Sequence, residues 1–133
     1  MSAKKYLSLD YGSSRIGIAL GDDQIKIAVP QETITSDNES IGKIAKLAKL
    51  EGVEKIVVGY PRNQSGEPTK QTAEVEAFVQ KLRQAFPEVV FQDESVTSVL
   101  AEERLKSYGK IYDKADIDAM AAVIILEDFL ENL

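Results

Sequence analysis

The spacing of apolar residues changes several times along the chain, and each change marks an element. From residue 5 to 11, Leu7 and Leu9 alternate with Ser8 and Asp10. That two-residue period predicts a strand ending at Gly12. IGIALGD (16–22) and IKIAVP (25–30) read as a second and a third strand, and the short connections make the three an antiparallel meander. Over 38–51 the period lengthens. Ile41, Ile44, Ala45, Leu47 and Ala48 share one helical stripe, and Gly52 is the stop signal. KIVVGYP (55–61) is almost continuously apolar, as a strand covered on both faces would be. A polar loop, RNQSGEPTKQT, follows. A helix over about 70–85 carries Ala73, Val75, Ala77, Phe78 and Leu82 before Pro87 ends it. EVVFQDE is the fifth strand, 97–107 a helix, SYGKIYDKA a loose segment, and about 116–131 the last helix. Strands joined through helices need right-handed crossovers, so the chain reads as one α/β domain over 1–133.

Composition narrows the chemistry. The 133 residues are 44% hydrophobic, enough for a real core. No apolar run reaches ~18 residues, and the N-terminus passes straight into a strand pattern without a signal peptide's apolar stretch. The expectation is a soluble, cytoplasmic protein with no membrane partner, a monomer or weak homodimer. The chain contains no cysteine and no histidine. Disulfides, thiolate nucleophiles, imidazole bases and Cys- or His-ligated metals are therefore excluded. Carboxylates remain, and they suit hard cations such as magnesium or manganese. The net charge of −6 argues against a broad basic surface for nucleic acid, although bound divalent ions would reverse the field locally.

Three carboxylates stand where polar residues are poorly explained. Asp10 ends the first strand, in phase with Ser8. Glu94 ends the fifth, in phase with Gln92. Asp118 lies 3, 4, 7, 8 and 11 residues before Ala121, Ala122, Ile125, Leu126 and Phe129, so it shares the last helix's inward stripe. Asp116 falls roughly 200° away and reads as a cap or solvent residue. Ordinary roles exist for each acid: Asp10 as a turn former, Glu94 near the next helix's cap, Asp118 as a first-turn acid on the helix dipole. Together they match what phosphodiester hydrolysis by two metals requires.

LDYGSSRIGIAL, VVGYPRNQSGEP, DESVTSVLAEERL and IDAMAAVIILEDFL, in that order, resemble the sequence blocks of the YqgF family, also called RuvX. These are RNase H-like proteins related to the RuvC Holliday junction resolvases. The resemblance implies an RNase H-like fold, a mixed five-stranded sheet of order 3-2-1-4-5 with strand 2 antiparallel, flanked by helices. It implies a magnesium-dependent nuclease with its acidic site at Asp10, Glu94 and Asp118. The partner it implies is nucleic acid: ribosomal RNA precursor at the 5′ end of the small-subunit species, with ribosomal particles nearby, or branched DNA. Where the family usually reads Asp-Glu-Arg-Leu-Thr, this chain has Ser95 in the arginine's place.

Around the acids, Arg15 is the first candidate for a phosphate contact, because an arginine in that turn can clamp an oxyanion with two donors. Arg62, Asn63 and Lys70 follow the fourth strand, at the end of a parallel sheet where ligands gather. Thr97 and Ser98 are helix-cap residues first and phosphate contacts second. Each of the charged groups also reads as plain solvated surface. Two other classes compete with a nuclease. DYGSSRIG resembles the phosphate loop of the actin and sugar-kinase superfamily, though 133 residues supply only one half of such a protein. A non-catalytic nucleic-acid or ribosome-associated module is the other.

Overall fold

The computed structural model describes residues 3–61, 69–94, 97–109 and 111–133. Its strands are β1 (Lys5–Tyr11), β2 (Arg15–Asp22), β3 (Ala28–Pro30), β4 (Ile34–Thr35), β5 (Lys55–Pro61) and β6 (Val89–Glu94). Its helices are α1 (Ser40–Glu51), α2 (Lys70–Ala85), α3 (Thr97–Ser107) and α4 (Lys114–Glu131). The sheet runs β3-β2-β1-β5-β6, with β4 pairing β2 beside that path. β2 is antiparallel to β1 and β3, while β1, β5 and β6 are parallel. The five-stranded order is the one the family resemblance implies.

Each face of the sheet carries its own core. Leu7, Leu9, Ile16, Ile18, Ile56 and Val58 pack with residues of α1 and α2. Tyr6, Ala19 and Val57 pack on the other face with α4 and with Ala101 of α3. β5 is thus covered on both sides, and Ile56, Val57 and Val58 are all fully buried. Because side chains alternate along a strand, Ser8 and Asp10 share the α4 face with Tyr6. The Ser8 hydroxyl is buried there and donates to the Ala122 carbonyl at 2.6 Å, which pins α4 to the middle of the sheet.

Two element starts and one added strand differ from the sequence expectation, each for a local reason. The third strand begins at Ala28, not residue 25. The Asp22 carboxylate accepts from the amides of Gln24 and Ile25 at 2.9 and 2.7 Å, holding a turn. Lys26 then takes a left-handed backbone, φ 61°, so Ile25 and Ile27 are left exposed. β4 was not expected, since two residues carry no period; it pairs Arg15 with Thr35 and Ile16 with Ile34. α4 starts at Lys114, two residues before expectation. Asp113 is its N-cap and Asp116 the third helical residue, exchanging bonds in a capping box. Gly52 closes α1 with a left-handed φ of 66°, as its position after the apolar stripe predicts.

Candidate active site

A row of three residues crosses the middle of the sheet on the α4 face: Gly17, Asp10 and Gly59. Gly17 stands opposite Asp10 in the β1–β2 ladder. Gly59 lies one step beyond the Leu9–Val58 pair of β1 and β5. Both lateral neighbours of Asp10 therefore lack side chains, and each gap is filled. A Cβ on Gly17 would run into the Asp118 carbonyl, so the first turns of α4 rest directly on β2. A Cβ on Gly59 would run into Oε2 of Glu94, with Ile125 beside it. Glu94 pairs with Pro61 in the β5–β6 register, so its side chain leans back across β5 toward Asp10. The glycines make a shallow bay in which acids from β1, β6 and α4 approach one another.

The electrostatics follow. Burial raises the Asp10 carboxyl well above its ordinary value, and the charges of Glu94 and then Asp118 add to the rise. A desolvated carboxylate facing two more is short of positive charge. Asp118 meets part of that need from Arg15, whose Nε donates to its Oδ2 at 2.6 Å. Asp118 keeps 20% of its side-chain exposure and Arg15 41%, so the pair lies at the bay's wet rim. Arg15 itself is set by the turn at Ser13–Ser14, where the Gly12 amide donates to its carbonyl at 2.9 Å.

Asp10 is not in the turn; it is a ladder residue one place inside the strand end. Asp118 is the fifth residue of α4, and the first-turn acid is Asp116. Lys70 opens α2, exposed, next to the Thr69 cap. Thr72 donates from its hydroxyl to the Pro61 carbonyl at 3.0 Å, which docks that helix end on the end of β5. Arg62, Asn63 and Ser95 lie outside the described residues, as do the side chains of Thr97 and Ser98. Sequence reasoning missed Gly59. Its signal was a glycine within an apolar strand, which marks a close approach. It also missed Gln71 and Glu74, which line a pocket of about 290 Å³ with Arg15 and Asp118. No strand or helix period distinguishes those two from surface residues.

The donors suit a hard divalent cation, being carboxylate oxygens in a chain without thiolate or imidazole. The raised proton affinity of Asp10 points the same way, because an added cation relieves the like-charge contacts. Among the described residues, however, no three acids close round one point, and Asp118 is held by Arg15. The set fits by charge and donor type, and its third member is shared with a guanidinium.

The bay gives a direct test of Gly59. Alanine there should displace the ends of Glu94 and Ile125 rather than backbone, so the expected loss of stability is modest, about 1–2 kcal/mol. Affinity for a divalent cation should fall far more steeply. A Gly59→Ala protein that melts several degrees lower yet keeps wild-type metal affinity by calorimetry would show that Glu94 is not positioned by this gap.

Comparison with known proteins agrees with this architecture. The family model described as "RuvX: Holliday junction resolvase" matches residues 4–132. A protein of Sulfurihydrogenibium sp. (strain YO3AOP1) named "Putative pre-16S rRNA nuclease" is 38% identical, over 97% of this chain and 91% of its own. One of the same name from Chloroflexus aggregans is 40% identical, over 98% and 96%. Among solved structures, Thermus thermophilus RuvC in complex with a Holliday junction substrate superposes with a TM-score of 0.58 at 15% identity, over 97% and 94% of the two chains. That likeness establishes the RNase H-like fold. With the family model matched across nearly the whole length, the chain belongs to the RuvX family.

Proposed function

We propose that this chain is a cytoplasmic, divalent-metal-dependent nuclease that hydrolyses phosphodiester bonds to mature the 5′ end of pre-16S ribosomal RNA, on or beside ribosomal particles. The observation that carries the reading is the glycine-floored bay, where burial, Glu94 and Asp118 together raise the proton affinity of Asp10. Such a cluster is costly without a cation. The names of the curated relatives support RNA as substrate. The family description supports a second reading, cleavage of branched DNA.

Asp10, Glu94 and Asp118 would hold magnesium or manganese. Two ions held by these residues would supply activation of water and stabilisation of the leaving oxygen. The chain's own residues do the rest. Gly17 and Gly59 make room for the start of α4 and for the end of Glu94, which brings Asp118 and Glu94 toward Asp10. Arg15 binds Asp118 through Nε only, and its two terminal nitrogens make no bond among the described residues. They are placed to meet a phosphate oxygen entering the adjoining pocket. Lys70, exposed at the start of α2, adds a cation at the same end of the parallel strands.

The test uses the full chain with 5′-extended precursor RNA in small-subunit particles, the same RNA free, and a four-way DNA junction. Magnesium or manganese is supplied, then removed with EDTA. Trimming of the precursor that stops with EDTA and returns with added metal is the expected result. Cleavage of the junction alone would favour the second reading. A protein that cuts none of the three, with either metal, is not a nuclease.

A further inference from the structure

The pocket at Arg15 and Asp118 opens into a larger cleft of about 530 Å³ between the β1–β2 turn and α2, and the two share Tyr11, Ser13 and Glu74. That volume is within the roughly 300–1,000 Å³ of small-ligand clefts. Tyr11 forms one wall. Its ring leans on Phe78, centroids 4.5 Å apart at 32°, and Phe78 is buried while Tyr11 is half-exposed. The two tilted rings both line the cleft and give it an aromatic wall. The polar wall is acidic: Asp37 and Glu74 line it, with Lys81 as the one cation among the described residues. Asp37 is engaged locally, accepting from the Glu39 amide at 2.8 Å through Oδ1. Glu74 makes no hydrogen bond or ion pair among the described residues.

The cleft and the adjoining pocket each carry one cation and two carboxylates among their described lining residues, with Glu74 common to both, and what the cleft adds is Phe78, which completes the aromatic pair with Tyr11. An aromatic wall selects a base. A carboxylate accepts two hydrogen bonds side by side, and among the four RNA bases only guanine offers two adjacent donors, N1–H and the 2-amino group, on one edge. We propose that this cleft is a subsite for one unpaired guanine of the substrate strand, stacked on Tyr11 and read by the Glu74 carboxylate. The inference deepens the nuclease reading and rests on it for the choice of RNA.

The experiment avoids cleavage altogether. Binding of the pentamers UUGUU, UUAUU, UUCUU and UUUUU to the full chain is followed by amide NMR in EDTA at low salt. UUGUU should bind about tenfold tighter than the others, the scale of a charge-assisted hydrogen-bond pair. The amides of Tyr11, Ser13, Asn38 and Phe78 should shift most. Glu74→Gln, at a half-exposed position, should bring UUGUU down to the level of the rest. Tyr11→Ala should weaken all four about tenfold through lost stacking. Equal binding of the four by wild type, or shifts mapping away from the cleft, would overturn the guanine subsite even if the precursor is cut. Guanine-selective binding without any cleavage would leave the subsite standing and remove the nuclease.

Discussion

Asp10→Asn is expected to lower cleavage by about 100-fold or more, on the scale of losing one preorganised charged group in a catalytic site, and at the same time to raise the melting temperature of the metal-free protein. The two effects share one cause. Burial is the first reason the Asp10 carboxyl titrates well above its ordinary 3.8, and repulsion from Glu94 and Asp118 comes next. The folded chain therefore holds the Asp10 proton more tightly than the unfolded chain does. An acid shifted in this direction favours the fold at low pH. Its contribution falls as pH rises from the unfolded value through the folded one, and the deficit persists above it. Asparagine keeps the shape and removes the charge, so it should gain most at neutral pH and nothing at acid pH. Melting curves in EDTA, from about pH 4 to neutrality, check this directly. A variant that gains no more at neutral pH than at acid pH would show that the Asp10 charge is not penalised in the fold. Such a trade between stability and activity is common where function requires a strained charge cluster.

The sequence made the strands and helices around this site legible because their periods are long and clean. The alternation through Leu7 and Leu9 located β1, and the continuous run at Ile56–Val58 correctly implied a strand covered twice. Asp118 was placed by helical phase alone on the side that meets the sheet, and its carbonyl now backs onto Gly17. What escaped had no period. Ile25 and Ile27 look like strand residues, yet Asp22 captures two amides and turns the chain before them. The Asp113–Asp116 capping box fixes the start of α4, and of the two roles legible for Asp116, cap or solvent residue, it takes the first. The pairing of Arg15 with Asp118 joins residues 103 apart, and only the docking of α4 on β2 brings them together. Gly59 was visible as a letter, but its meaning depends on how far Glu94 reaches across β5 from β6.

Gly17→Ala should be the most damaging single methyl in the protein. At Gly59 the added carbon would meet side-chain ends, which can turn aside. At Gly17 it would meet the carbonyl carbon and oxygen of Asp118 and the amide nitrogen of Ala119, all of them backbone. Relief requires the start of α4 to lift off β2. That helix is held at Ala115 by the Thr33 hydroxyl at 2.7 Å and at Ala122 by the buried Ser8 hydroxyl at 2.6 Å. It also supplies Ala121, Ile125 and Leu126 to the second core. Clamped on both sides of Asp118, the helix cannot tilt locally without breaking one of those bonds or opening the core. The expected cost is about 3 kcal/mol, the upper end of ordinary overpacking, or a fall in melting temperature of about 10 °C for a chain of this size. Alanine at Gly42, where an added Cβ meets nothing within 4 Å, is the matched control and should be neutral or slightly stabilising in the first turn of α1. Gly17→Ala melting at the wild-type temperature would mean that α4 does not rest on β2 at this point. The bay would then lose the contact that brings Asp118 to Asp10.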